Sequence, residues 1–247
     1  MQERDYQIDD TLENLPTLEV AQRNVASLPE EQFALARRQG FGASDASVYL
    51  GLQNKWKTAQ DLVAEKLRTG YTEEEKAIGE KDVVRKGKDL EPLNLKKTEE
   101  KLQWPVYKPQ HMYRIKDHPY LLVNFDGIVR TPTEENILVP VEAKFVSMYG
   151  DKYYDFTKGP ADWVNWADDY PTEKKAAILG VPAYYYAQVQ QQILALNAPY
   201  GWLTVIRDKG WEHHMFKIPR DEPVINQIIY EGFRLWETVT AKRTAGL

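Results

Sequence analysis

The stretch that most limits what this chain can become runs from Tyr120 to Val146, where YLLVNFDGIVR and ILVPVEAKFV flank a short polar connection. Both runs are rich in branched and aromatic residues, which favour strands. Inside them stand Asp126, Glu142 and Lys144. A charge within an apolar strand is costly unless it is paired or bound to a metal. Side chains alternate across a strand, so Leu121, Val123 and Phe125 share one face of the first run while Leu122, Asn124 and Asp126 share the other. In the second run Val139, Val141, Ala143 and Phe145 share a face, and Glu142 and Lys144 the opposite one. The connecting TPTEEN is polar and turn-rich, so the runs are expected to pair as an antiparallel hairpin that brings the three charged groups together.

The rest of the composition narrows the possible chemistry. A chain of 247 residues with 43% apolar content can bury a sizeable core, and a single domain over residues 1–247 is expected. No run approaches the roughly 18 apolar residues of a membrane helix, and the acidic MQERDYQIDD start is unlike a signal peptide, so a cytoplasmic protein is expected. Absence of cysteine excludes disulfides, cysteine nucleophiles, cysteine-type zinc sites and iron–sulfur clusters, but not oxygen-ligated metals. The net charge of −5 argues against a protein coated in basic charge and leaves room for a local basic groove.

Along the chain, residues 1–30 read as an acidic, proline-interrupted arm. A helix is expected to end near Gly40, followed by a glycine-rich turn and a new start capped by Ser44 or Asp45. Free amides there, beside Arg37 and Arg38, suit a phosphate; a plain capped helix with solvated arginines is the other reading. Thr58 and Asp61 suggest a capping box opening a helix through Leu67. YTEEEKAIGEK reads as a charged connector. The spacing over 81–102 is helical, with Glu91 one turn after Gly87 and a kink or restart expected at Pro92. WPVYKPQHMYRI reads as a strand. The segment 147–181 is dense in aromatics, namely Tyr149, Tyr153, Tyr154, Phe156, Trp163, Trp166 and Tyr170. With Lys152, Lys158, Lys174 and Lys175 these suit either base stacking or a satellite core. A helix is expected from Pro182 to Asn197, with Tyr185, Gln188 and Gln192 on a polar, solvent-facing side. A hairpin turning at Asp208–Gly210 follows, with His213 and His214 at the surface, and then a helix capped by Asp221. The order suggests a mixed sheet flanked by helices in one α/β layer architecture, with an all-helical N-terminal part.

Asp126 and Glu142 on one face, with Glu91 from a helix, make an all-oxygen site suited to Mg²⁺ or Mn²⁺ and to phosphodiester hydrolysis. Lys144 is then placed to orient or help deprotonate the attacking water, and Gln188 to hold that water or a phosphate oxygen. A glycosidase gives the lysine no purpose. A buried Glu142–Lys144 ion pair with only a structural role remains open.

The residues themselves resemble a known family. Asp126-Gly127, fourteen intervening residues and Glu142-Ala143-Lys144 resemble the PD-(D/E)XK nuclease signature. GASDASVYLG at 42–51, GKDLEP at 87–92, HPYLLVNFDG at 118–127 and YYYAQVQQQ at 184–192 together resemble the YqaJ-like viral recombinases of the phage lambda exonuclease group, over about residues 33–220. The resemblance implies a restriction-endonuclease-like core followed by a C-terminal helix at 221–247. It implies Glu91, Asp126, Glu142 and the carbonyl of Ala143 as ligands of two Mg²⁺ ions, Lys144 as catalytic lysine, and Gln188 as the glutamine of the family's motif. Arg37 and Ser44 match positions that contact the substrate's 5′ phosphate. Implied too are 5′-to-3′ degradation of linear duplex DNA, a 3′ overhang passed to a single-strand annealing protein, a ring-shaped homotrimer, and residence in a bacterial host as a phage or prophage protein. Asn124 stands in place of a phosphate-contacting serine and Phe125 in place of the signature proline, so selectivity for a phosphorylated end is what the departures touch most. An endonuclease of the same fold and a non-catalytic DNA-end-binding module are the alternatives.

Overall fold

The computed structural model describes residues 3–52, 57–132, 136–158 and 169–246. In chain order the elements are α1 (Glu3–Glu13), β1 (Leu18–Gln22), α2 (Glu30–Arg37), β2 (Phe41–Gly42), α3 (Ala46–Tyr49), α4 (Ala59–Leu67), α5 (Glu73–Gly79), α6 (Asp82–Leu102), β3 (Val106–Tyr107), β4 (Met112–Ile115) and β5 (His118–Val123). They continue with β6 (Gly127–Arg130), β7 (Leu138–Val146), α7 (Thr172–Leu179), α8 (Ala183–Leu196), β8 (Tyr200–Arg207), β9 (His213–Pro219) and α9 (Glu222–Thr244).

The strands form two mixed sheets rather than one. A four-stranded sheet has the order β1-β4-β5-β2 and a five-stranded sheet the order β3-β6-β7-β8-β9. The expected hairpin exists as β6 against β7, antiparallel, with Gly127 opposite Val141. Its first arm, however, is not continuous with the preceding apolar run. Residues 120–123 belong to β5 of the other sheet, and Asn124-Phe125-Asp126 carry the chain across. Phe125 anchors that crossing, because its ring is 1% exposed and packs near Tyr113. WPVYKPQHMYRI divides in the same way into β3 and β4. Strand periodicity cannot reveal such a division when both faces of the run are buried, as they are at Leu121, Leu122 and Val123.

Helices cover both faces of the five-stranded sheet. Leu95 of α6 packs with Val106, Val129, Val139 and Val141, while Val189 and Ile193 of α8 join the larger core on the other side. Alternation along β7 therefore turns Val139 and Val141 toward α6 and Glu142 toward α8. Two glycines permit the close approach: a Cβ on Gly127 would lie 2.9 Å from Val106 Cγ1, and one on Gly201 would lie 2.7 Å from Val189 Cγ1.

Several local expectations hold. Thr58 and Asp61 cap α4 reciprocally, α8 ends at left-handed Asn197, and β8 and β9 form the last hairpin. Others are corrected. The N-terminal part is not all-helical, since β1 pairs with β4. The charged 71–81 segment contains α5, opened by a capping box between Thr72 and Glu75. α6 runs unbroken through Pro92, because packing of Leu95 and the buried Asn94 and Thr98 holds the turns beyond the lost backbone donor. Asp221 makes no side-chain cap; its carboxylate receives Lys175 Nζ at 2.9 Å and Tyr186 Oη at 2.7 Å. Lys175 is fully buried in that pair and is no DNA contact.

Candidate nuclease site

Beyond each end of the Gly127–Val141 pair, Asp126 and Glu142 come side by side where the chain enters β6 and runs along β7. Asp126 Oδ2 accepts the Ala143 N–H at 2.9 Å. Glu142 is almost fully buried at 2% exposure, so its charge needs internal partners. Lys144 Nζ and Gln188 Nε2 both donate to its Oε1, and Gln192 Nε2 donates to Oε2 at 2.6 Å. The Lys144 ammonium also stands over the Tyr185 ring, 5.1 Å from its centroid.

The electrostatics follow from this crowding. Burial and the neighbouring Glu142 push the Asp126 carboxyl well above the usual carboxylate range, against the opposing charge of Lys144. Burial alone would lower the Lys144 ammonium, but Glu142 and Asp126 outweigh it and hold the proton more firmly than in a free lysine. The two carboxylates thus have less positive charge nearby than they can use, and their all-oxygen chemistry suits a hard divalent cation.

A second cluster lines the same cavity of about 200 Å³, together with Asp126, Glu142, Lys144 and Gln188. Arg37 Nη2 donates to Ser44 Oγ at 2.9 Å. The turn that presents Ser44 is braced by Asp45, whose Oδ2 accepts Gly42 N–H at 3.0 Å and the fully buried Lys66 Nζ at 2.8 Å. Burial raises the Asp45 carboxyl, but Lys66, Arg37 and Lys57 more than reverse this and hold it well below the usual range. Asp45 is therefore a strut rather than the expected helix cap.

Glu91 sits differently. It lines the neighbouring cavity, which also touches Asp126 and Asn124, and its Oε1 receives Lys108 Nζ at 2.5 Å. Among the described residues no group of three or more His, Asp or Glu side chains is drawn close enough to hold a metal ion. The structure thus gathers Asp126, Glu142, Ala143, Lys144, Gln188, Arg37 and Ser44, and leaves Glu91 one cavity away.

The glutamines of α8 overturn the solvent-facing expectation: Gln190, Gln191 and Gln192 are fully buried and Gln188 is 9% exposed. The sequence alone gave no role in the site to Gln192, Asp45, Lys66 or Lys108. The signal for Gln192 was its spacing of four from Gln188, which puts both on one face of the helix. His213 is likewise buried, with Nε2 3.0 Å from Asn94 Oδ1, while His214 points the other way, against Phe156. In the aromatic segment Tyr154 and Phe156 stack on each other and pack toward Tyr185 and Phe216, as a satellite core does. Tyr149 and Tyr153 are exposed; Trp163 and Trp166 lie outside the described residues.

Two mixed sheets flanked by helices give the chain a lambda-exonuclease-like fold of the PD-(D/E)XK type. The alkaline exonuclease LHK-Exo of Laribacter hongkongensis superposes with a TM-score of 0.55 at 19% identity, over 87% of this chain and 98% of that one. Its complex with dAMP gives 0.56 at 18% identity, over 87% and 97%. At the sequence level, residues 32–195 match the YqaJ-like viral recombinase domain, and the chain belongs to that family. It is 27% identical over 199 residues to the uncharacterized protein YqaJ of Bacillus subtilis (strain 168). The match covers 81% of this chain but only 56% of that relative's length, so the chain spans little more than half of the curated protein it matches.

Proposed function

We propose that the protein is a divalent-metal-dependent exonuclease that degrades linear double-stranded DNA from its 5′ ends. The observation that carries this reading is that one cavity is lined both by the Arg37–Ser44 pair and by the Asp126, Glu142, Lys144 and Gln188 cluster. A strand end needs both: a cationic hydrogen-bonding seat for a terminal phosphate and, beside it, oxygen ligands for cleaving the next phosphodiester. Arg37 and Ser44 hold the terminal phosphate, and Asn124, which lines the same cavity, stands near it.

Asp126, Glu142 and the carbonyl of Ala143, reached from α6 by Glu91, would hold one or two Mg²⁺ ions, with Mn²⁺ as a substitute. Bound there, such ions supply Lewis-acid activation of the scissile phosphate and of its attacking water. To join them, Glu91 would have to give up its contact with Lys108. Lys144 keeps its proton, orients the water and offsets negative charge as it develops on the phosphorus oxygens. Gln188 and Gln192 hold the Glu142 carboxylate in one orientation, so little reorganisation accompanies the reaction.

The 3′ overhang left behind suits a single-strand annealing protein, and a ring-shaped homotrimer would let a net-acidic chain enclose DNA with its local cations. In this reading the residues 1–247 act as one nuclease domain in the cytoplasm of a bacterial host. Among the described residues no helix is long and apolar enough to cross a membrane.

Incubation with linear and covalently closed circular duplex, with Mg²⁺ or EDTA, tests the reading. Loss of the linear form alone, only with Mg²⁺, is expected. Cutting of the circle would indicate an endonuclease, and no cutting of either an end-binding module. Lys144→Ala is expected to lower the degradation rate by about 10²–10³-fold while leaving end binding intact; full activity in that variant would remove the proposed chemistry.

A further inference from the structure

The two clusters in the cavity stand on different sheets, and something must fix the spacing between them. β2, which leads directly into Ser44, is only two residues long and pairs with β5 at just Phe41–Leu121 and Gly42–Leu122. A ladder that short is weak by itself. Gln191 of α8 reinforces it from below: its Nε2 donates to the carbonyls of Phe41 at 3.0 Å and Leu122 at 2.9 Å. Its Oε1 accepts the Tyr49 hydroxyl at 2.9 Å, and the two carbonyls facing Nε2, which can only accept, fix the orientation of the amide. The side chain is fully buried, a position an apolar residue would fill at lower cost unless the amide had work to do.

The two carbonyls it clamps are well chosen for that purpose. Phe41 leads to Ser44, and Leu122 leads to Asn124 and Asp126. On the same helix, Gln188 and Gln192 grip Glu142 through a separate set of bonds. We propose that Gln191 is a positioning residue that sets the terminal-phosphate seat at a fixed distance from the carboxylates, and so determines preference for 5′-phosphorylated ends. The inference rests on the reading of Arg37 and Ser44 as that seat.

Because Glu142 is gripped by Gln188 and Gln192, and Asp126 is held by the Ala143 N–H, removal of the Gln191 amide affects the seat and spares hydrolysis. The test compares duplexes bearing a 5′ phosphate or a 5′ hydroxyl, by end binding in EDTA and by kcat and KM with Mg²⁺. In Gln191→Leu the preference for phosphate falls about tenfold, through KM, while kcat on hydroxyl ends stays within about twofold. Tyr49→Phe, which frees the amide to turn, moves the preference in the same direction by a smaller factor, and decides the matter if circular dichroism shows Gln191→Leu unfolded. A wild-type protein indifferent to the phosphate would sink the seat and this inference together. A wild-type preference retained in both variants overturns the inference alone, and so does an equal loss on both kinds of end, which would make Gln191 merely structural.

Discussion

Glu142 has more hydrogen-bond donors around it than any neutral strand position needs, and Asp126 beside it has too few. Glu142 is neutralised by Lys144 and fixed by Gln188 and Gln192, whereas Asp126 has one backbone N–H and a like charge next to it. A carboxyl whose folded pKa is raised contributes stability only below its unfolded value and loses it as pH rises through the folded one, so at neutral pH Asp126 opposes folding. Asp126→Asn is therefore expected to raise thermal stability, by on the order of 1 kcal/mol, while abolishing degradation. Mg²⁺ should raise the melting temperature of the wild type and not of this variant, which calorimetry or thermal-shift fluorescence can check. Equal Mg²⁺ stabilisation of both would remove Asp126 from the ligand set.

At the scale of elements, α8 is where the two sheets meet. Its side chains reach Glu142 in the five-stranded sheet, the Phe41 and Leu122 carbonyls in the four-stranded one, and, through Gln190, the Pro219 carbonyl and Asp221 N–H before α9. That arrangement requires α8 to sit tightly on β8, and Gly201 permits it. Gly201→Ala would drive a methyl against Val189 Cγ1, so a cost of about 1–3 kcal/mol is expected. As the helix backs away, Gln188 and Gln192 lose Glu142, and kcat should fall along with the unfolding midpoint. A stable, fully active Gly201→Ala protein would show that the helix need not be held so closely.

Across the whole molecule, acid is the condition this design resists least. Burial, with Lys101 and Lys97 nearby, pushes the His213 imidazole down to about 4. A base whose folded pKa lies below its unfolded one contributes stability above about 6.5 and loses it as pH falls toward about 4. With allowance for the solvent near the ring, roughly 2 kcal/mol should vanish across that window. His213→Gln should flatten the slope in urea titrations taken at several pH values. Asp45 adds to the same trend at lower pH, since its depressed carboxyl contributes stability that disappears only as that group is finally protonated.

The distribution of charge and apolarity over Tyr120–Val146 was enough to place Asp126, Glu142 and Lys144 together, because alternation and hairpin register are local properties of the chain. Helix caps at Thr58 and Asn197 were legible for the same reason. What only the tertiary structure decided was long-range. The break at Asn124–Asp126 between two sheets, the burial of the α8 glutamines, and the pairing of Glu91 with Lys108 depend on what packs against each segment. Glutamine carries no mark of the carbonyl or carboxylate it will meet. Burial is set by neighbours far away in sequence, and only the folded chain brings Glu142, Phe41 and Leu122 within reach of a single helix.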